Sequence, residues 1–218
     1  MALQVDKTVD GVWDDDGSRV LDIHTNAGVI NCRLHKAESG SGSGIVWVFG
    51  SGGGLGGPAG GMYIRLAKTL VDEGWTSLRL DYRSPGHLTS CVLDTLAGMH
   101  VLEEMGIRRI VLVGHSFGGA IAISAGAASL STAGVVAMSS QTAGTGAVNK
   151  LSPNRLLLIH GTADEVLPAS CAQDIYRRAL EPKKLLLYPG CRHGLDQCRD
   201  ELDSDLLTWI RNVAVSRA

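Results

Sequence analysis

Six short apolar runs are spaced along this chain, and most are followed by a stretch with helical periodicity. They are Ile45–Gly50 ("IVWVFG"), Thr76–Tyr82 ("TSLRLDY"), Arg109–Gly114 ("RIVLVG"), Gly134–Ser140 ("GVVAMSS"), Arg155–Gly161 ("RLLLIHG") and Lys184–Gly190 ("KLLLYPG"). Runs this short, with almost no polar alternation, suit strands covered on both faces. Strands that alternate with helices must be joined by parallel crossovers. Helices are predicted over Pro58–Glu73, Ser90–Gly106, Phe117–Leu130 and Ser170–Leu180, and from about Leu195 to Val213. Met62, Leu66 and Leu70 fall on one face of the first, with Gly74 as its stop. Leu202, Leu206, Ile210 and Val213 fall on one face of the last. Ahead of the alternation, "RVLDIHT" (Arg19–Thr25) and "GVINCRLH" (Gly28–His35) flank Asn26-Ala27 as an antiparallel hairpin. The expected fold class is α/β: a mostly parallel twisted sheet of about 7–8 strands with an N-terminal antiparallel hairpin and helices on both faces. The 218 residues suit a single domain, 1–218. The stretch Gln141–Asn154 is too short to hold an inserted cap.

Glycine is the one compositional outlier, at 28 of 218 residues, close to twice the usual ~7%. The excess is local, around Gly40–Gly61 and Gly114–Gly119, and so reads as loop chemistry. "ESGSGSG" (Glu38–Gly44) reads as a flexible connector. The net charge is −2, and no run of Lys or Arg occurs. That argues against nucleic acid or an anionic membrane as a partner. No apolar stretch reaches the ~18 residues of a membrane span, and the N-terminus lacks the pattern of a signal peptide. Five cysteines, Cys32, Cys91, Cys171, Cys191 and Cys198, are an odd number without CxxC spacing. They read as reduced thiols in a cytoplasmic protein, with no disulfide framework and no zinc site.

The densest chemical signal is "GHSFGG", Gly114–Gly119. Ser116 lies two residues beyond an apolar strand and immediately before a helix. In a parallel sheet, ligands bind beyond the carboxyl ends of the strands. A sharp strand-to-helix turn forces its central residue into a strained backbone, and flanking side chains would collide with neighbouring chain. Glycine on both sides removes the collision. A serine hydroxyl also needs a base. "HGTADEVLP" places Asp164 just past one later strand, and "YPGCRHG" places His193 just past the next. The order Ser, Asp, His along the chain is the one a strand-elbow hydrolase uses. Glu165 and Asp196 are rival carboxylates.

With these three motifs in this order, the chain from about Ile45 to Val213 resembles the α/β-hydrolase family. It is most similar to the small members without a cap, such as dienelactone-hydrolase-like, carboxylesterase-like and thioesterase-like proteins. The resemblance implies an α/β-hydrolase fold and the catalytic set Ser116, Asp164 and His193. It favours Asp164 as the acid because Leu167-Pro168 completes the family's turn. It also implies an oxyanion hole of backbone N–H groups. One is that of Phe117, and the second is that of Ser51 or Gly52 in the loop "GSGGGLGGPAGG". Phe49 stands where the family often has histidine.

Leu55, Arg83 and His87 are candidate substrate contacts; Arg83 and His87 follow a strand end and suit an anionic substrate. His115 and His160 are expected to be structural hydrogen-bonding residues, and Cys191 a buried inert thiol. The implied activity is a cofactor-free and metal-free hydrolase of a small-molecule carboxylic ester or thioester. The rivals are acyl transfer or perhydrolysis on the same residues, and a non-catalytic binding or scaffold protein on a hydrolase fold.

Overall fold

The structure, a computed structural model, describes residues 3–38 and 42–215. Residues 39–41 of the Glu38–Gly44 connector lie outside the described residues. Among the described residues nine strands form one sheet: β1 Val5–Trp13, β2 Arg19–Thr25, β3 Gly28–His35, β4 Ser43–Val48, β5 Thr76–Asp81, β6 Arg109–His115, β7 Thr132–Met138, β8 Arg155–Gly161 and β9 Lys183–Tyr188. Their spatial order is β1-β2-β3-β5-β4-β6-β7-β8-β9. The pairings β1–β2, β2–β3 and β3–β5 are antiparallel, and all the others are parallel. Among the described residues five α-helices accompany them: α1 Pro58–Asp72, α2 Leu88–Glu104, α3 Phe117–Gly126, α4 Ser170–Arg178 and α5 Arg199–Val215.

The two faces of the sheet carry different helices. Side chains of α1 and α5, including Met62, Leu66, Leu70, Leu202, Leu206 and Ile210, pack on Ile45, Trp47, Val111, Val113 and Val136. On the other face Leu102, Ile121, Ile123 and Ile175 pack on Val46, Val48, Leu78, Leu80, Leu112 and Leu158. Alternate residues of one strand thus serve opposite layers, which is why β4 and β6 read as unbroken apolar runs. Each of these aliphatic side chains contributes about 1.5–3 kcal/mol when fully buried. Helix α3 is buried along nearly its whole length, so it shows no amphipathic stripe, only the run "FGGAIAISAG".

Besides shifts of one or two residues at several element ends, the sequence-based expectation differs from the structure at four places. Strand β1 is additional: beyond Val5 all its residues are exposed, so its apolar residues follow no burial pattern that periodicity could reveal. The first turn of α1 is not helical, since Ala59 has φ 50° and Gly60 and Gly61 are also left-handed. Helices α3 and α4 stop short of the predicted ends. The predicted last helix is split: a short 3-10 turn over Asp196–Cys198 precedes α5. Among the described residues, no helix is long and apolar enough to cross a membrane.

Candidate active site

Six parallel strands deliver their carboxyl ends to one rim, and the three motifs sit there. Ser116 lies between β6 and α3 with φ 57° and ψ −120°, a conformation that a side-chain-bearing residue adopts only under constraint. The constraint is visible in its neighbours. A Cβ on Gly114 would lie 2.0 Å from the Gly118 carbonyl oxygen, and one on Gly118 would lie 2.3 Å from that of Phe49. Backbone therefore packs directly on backbone, and no larger residue fits at either position. The Ser116 N–H donates to the Met138 carbonyl at 2.8 Å, tying the turn to the end of β7.

The His193 ring stands beside this serine. Its Nε2 is 3.1 Å from Ser116 Oγ, and its Nδ1 is 2.8 Å from Asp164 Oδ2 and 3.1 Å from Oδ1. The Asp164 side chain is fully buried, and the ring is largely so. Burial opposes ionisation of the carboxyl, but the Leu167 N–H, the His193 ring and the Val166 N–H outweigh it and hold its pKa below the ordinary carboxylate value. Both backbone groups donate to Oδ1, at 2.8 and 2.9 Å. His160 adds a further contact, with Nε2 3.1 Å from Asp164 Oδ2 and 2.9 Å from the Leu167 carbonyl. An anionic carboxylate facing Nδ1 keeps the proton on that nitrogen and leaves the Nε2 lone pair toward the serine.

The rival carboxylates lie elsewhere. Glu165 accepts the backbone N–H of His193 at 3.2 Å and so supports the loop rather than the ring. Asp196 packs its carboxylate against Gly194. His115, set aside above as structural, donates Nε2–H to the His193 carbonyl at 2.9 Å, and its ring is 4.9 Å from the His193 ring. Burial pushes the His115 imidazole down to about 4, so it stays neutral as that donor.

One expectation is overturned at this loop. Cys191 and Cys198 form a disulfide, with Cα atoms 6.0 Å apart, and are not the reduced thiols that their spacing predicts. The bridge closes the segment that carries His193. A spacing of seven residues matches no motif, and the left-handed turn at Leu195 (φ 60°) and the 3-10 turn after it are what bring the two sulfurs together. The other three cysteines are free.

On the opposite side of Ser116 lies the glycine-rich loop after β4. A Cβ on Gly50 would lie 3.9 Å from the Ser116 Cβ. Gly53 N–H donates to the Gly50 carbonyl at 3.0 Å, forming a turn with Ser51 and Gly52 exposed at its tip. Among the described residues, no protein acceptor faces the N–H groups of Ser51 or Gly52. Phe117, first in α3, likewise has an N–H without an intrahelical acceptor.

The suggested substrate contacts fare differently. Arg83 is corrected: its Nε bonds Asp94 Oδ1 at 2.6 Å, Asp94 is fully buried, and another guanidinium nitrogen reaches the Ala27 carbonyl. The cation therefore neutralises a buried carboxylate on α2 and is not free for a ligand. His87 caps α2, its Nδ1 facing the Ser90 N–H and hydroxyl. The adjacent Gly86 comes close to the Ser51 carbonyl, so His87 does lie near the rim. Leu55 is half-buried, and its carbonyl is held by Arg79 at 3.1 Å. Among the described residues, no group of three or more His, Cys, Asp or Glu side chains is arranged to hold a metal ion.

A lidless, mostly parallel sheet with an antiparallel hairpin at one edge and a serine on a strained strand-to-helix turn defines the α/β-hydrolase class. Residues 92–204 match the model of the phospholipase/carboxylesterase family, and the chain belongs to that family. Among solved structures, it is similar to dienelactone hydrolase from Anabaena variabilis, with TM-score 0.78 and 15% identity over 89% of this chain and 97% of that one. Est1E from Butyrivibrio proteoclasticus gives TM-score 0.76 and 16% identity over 89% of this chain and 98% of that one. XC6422 from Xanthomonas campestris, described as an α/β serine hydrolase without lid, gives TM-score 0.72 and 18% identity over 92% of this chain and 97% of that one. At these identities the likeness speaks for the fold. A curated relative, the uncharacterized protein YfhR of Escherichia coli, is 46% identical over 46 residues, which are 21% of this chain and 16% of that protein.

Proposed function

We propose that this chain is a serine hydrolase that cleaves a small carboxylic ester or thioester through an acyl-enzyme. The observation that carries the reading is the unbroken hydrogen-bond path from Ser116 Oγ through the His193 ring to Asp164. In this reading Ser116 Oγ attacks the carbonyl carbon while His193 Nε2 takes its proton. The ring then carries positive charge, which the Asp164 carboxylate stabilises across Nδ1–H. His193 returns the proton to the leaving alkoxide or thiolate, and the acyl group stays on Ser116. Water attacks the acyl-enzyme with the same histidine as base, releasing the acid. The oxyanion formed in each half accepts from the Phe117 N–H and from that of Ser51 or Gly52. No step needs a metal or an organic cofactor. The reading takes 1–218 as one domain without a cap, so the rim stays open to substrates that approach from solvent.

The test is labelling by a fluorophosphonate, followed by a panel of p-nitrophenyl esters and acyl thioesters of increasing chain length. Methyl ferulate belongs in the panel, because Est1E has been seen with ferulic acid bound. Ser116→Ala is expected to abolish labelling and to lower kcat by about 10⁶ if the three residues act as a unit. Ester turnover unchanged in that variant refutes the proposal.

A further inference from the structure

Strand β5 contains two charged residues, Arg79 at a buried position that calls for an apolar one and Asp81 at its half-buried end. Arg79 and Asp81 are two apart, so both point to the same face of the sheet. Their neighbours Leu78 and Leu80 face the other layer and are fully buried there. Arg79 itself is only 2% exposed. A guanidinium taken out of water costs several kcal/mol unless it is paired and hydrogen-bonded, and here the pairing is incomplete: Nε has no partner. Burial accordingly lowers the Arg79 pKa, against the opposing pull of Asp16. A valine or leucine at this position would pack without that cost. The charge must therefore do something that an apolar side chain would not.

What it holds is the glycine loop. Arg79 donates through one terminal nitrogen to the Leu55 carbonyl at 3.1 Å. Through the other it bonds Asp16 and, at 3.1 Å, Ser18 Oγ. Asp81 Oδ1 accepts the Gly54 N–H at 2.7 Å. The two β5 side chains thus grip consecutive residues, one by its N–H and the next by its C=O. Earlier in the loop two tyrosine hydroxyls do the same: Tyr63 donates to the Val48 carbonyl at 2.9 Å and Tyr82 to that of Phe49 at 3.1 Å. Between these anchor points lies only the turn Gly50–Gly53, whose tip carries the N–H groups of Ser51 and Gly52. A loop so rich in glycine has a large conformational entropy to lose. Donors aimed at an oxyanion are worth several kcal/mol only if they are fixed before the reaction.

We propose that Arg79 and Asp81 are positioning residues that fix the Ser51–Gly52 turn as an oxyanion donor, with Asp16 and Ser18 bracing Arg79 from the β1–β2 turn. The inference rests on the hydrolase reading above. Neither residue touches substrate. Both act through Gly54 and Leu55 on the turn beside Ser116. Loss of the grip therefore lowers kcat while leaving KM nearly unchanged, because ground-state binding does not use the charge that develops on the carbonyl oxygen.

The test uses the full chain with Asp81→Ala, Asp81→Asn and Arg79→Met, p-nitrophenyl acetate as substrate, and amide hydrogen exchange as a second readout. In Asp81→Ala, kcat is expected to fall about 10- to 100-fold with KM within about twofold, the range of a weakened oxyanion donor. Exchange rises over residues 50–57 and stays slow over 110–125. Asp81→Asn, which keeps an oxygen for the Gly54 N–H, restores most of both. Arg79→Met gives the same signature, and its melting temperature shows whether the fold survives; should it fail to fold, the aspartate pair decides. Unchanged kcat in Asp81→Ala, or unchanged exchange over 50–57, overturns the proposal. Wild-type protein inert to both fluorophosphonate and the ester would refute the hydrolase reading instead, and the positioning claim with it, whereas faster exchange over 50–57 in Asp81→Ala would still establish the grip.

Discussion

Two segments meet above the sheet rim, and they are held in place by different balances of packing and discrete bonds. The turn at Ser116 is held by contact: glycines let backbone lie on backbone, α3 is buried along nearly its whole length, and no cross-link is involved. The loop around His193 anchors in the core through Cys191 and Leu195, both fully buried. Gly190, Arg192 and Gln197 are exposed, and the loop is fixed by a list of discrete bonds. They include the Cys191–Cys198 disulfide, the Glu165 contact to its backbone, the His115 contact to the His193 carbonyl, and the Ala59 N–H donating to the Gly194 carbonyl at 2.8 Å. Close packing suits a residue whose backbone must be strained, because only a rigid surround can sustain the strain. Discrete bonds suit an imidazole whose ring must meet two partners at a surface, where packing alone cannot define an orientation.

The contrast makes different segments sensitive to different insults. Gly118→Ala drives a methyl into backbone that cannot retreat. It is expected to destabilise by more than the ~1–3 kcal/mol of ordinary overpacking, read as a collapse of the urea midpoint or of soluble yield. If Gly118→Ala is tolerated with wild-type stability, contact is not what holds the elbow. Opening the bridge is the matching insult at the other segment. Cys198→Ser is expected to cost about 2 kcal/mol of stability and to lower ester kcat roughly tenfold, on the order of 1.4 kcal/mol of barrier. Hydrogen exchange should rise around His193 and stay slow in α3. Alkylation of both Cys191 and Cys198 in unreduced, folded protein would remove the bridge from the comparison.

His115 joins the two segments, since it belongs to the end of β6 and donates to the His193 carbonyl. Burial holds it at about 4, below the ordinary imidazole value of 6.5. The groups acting on it are His193, Asp164 and His160. The unfolded chain therefore binds a proton that the folded chain refuses between those two values. The stabilisation is complete above pH 6.5 and is lost as pH falls toward 4. A loss of about 1–3 kcal/mol over that interval is expected from this residue, seen as a drop in urea midpoint that His115→Gln reduces. An equal acid drop in that variant would assign the titration elsewhere, His35 being the other buried imidazole held at about 4. The smallest effect belongs to Gly190→Ala. Its Cβ meets open space, and only its φ of +71° is adverse, so the cost is about 1–2 kcal/mol. A collapse there like that of Gly118→Ala would erase the distinction between the two segments.

How far the sequence is legible follows the same division. Strands β4, β6, β7 and β8 are readable because burial on both faces leaves a nearly unbroken apolar run, while β5 and the half-exposed edge strand β9 are readable from shorter apolar stretches. Ser116, Asp164 and His193 are readable because each follows such a run at once and strand ends share one rim. Strand β1 is hidden because an exposed edge imposes no pattern. The Arg83 ion pair is hidden because Asp94 is eleven residues on, and only the docking of α2 brings it back. The signal for the loop grip is present but ambiguous: "TSLRLDY" carries two charges within a strand, and nothing local says what they face.

By itself, then, the sequence determined the alternation of elements, the glycine-flanked serine and the chain order of the three polar residues, since each depends on neighbours within a turn or a strand. The tertiary structure alone decided which cysteines join, which cation is used up on a buried carboxylate, and what fixes the glycine loop. Those are meetings between segments far apart in the chain, and their partners exist only once the sheet has folded.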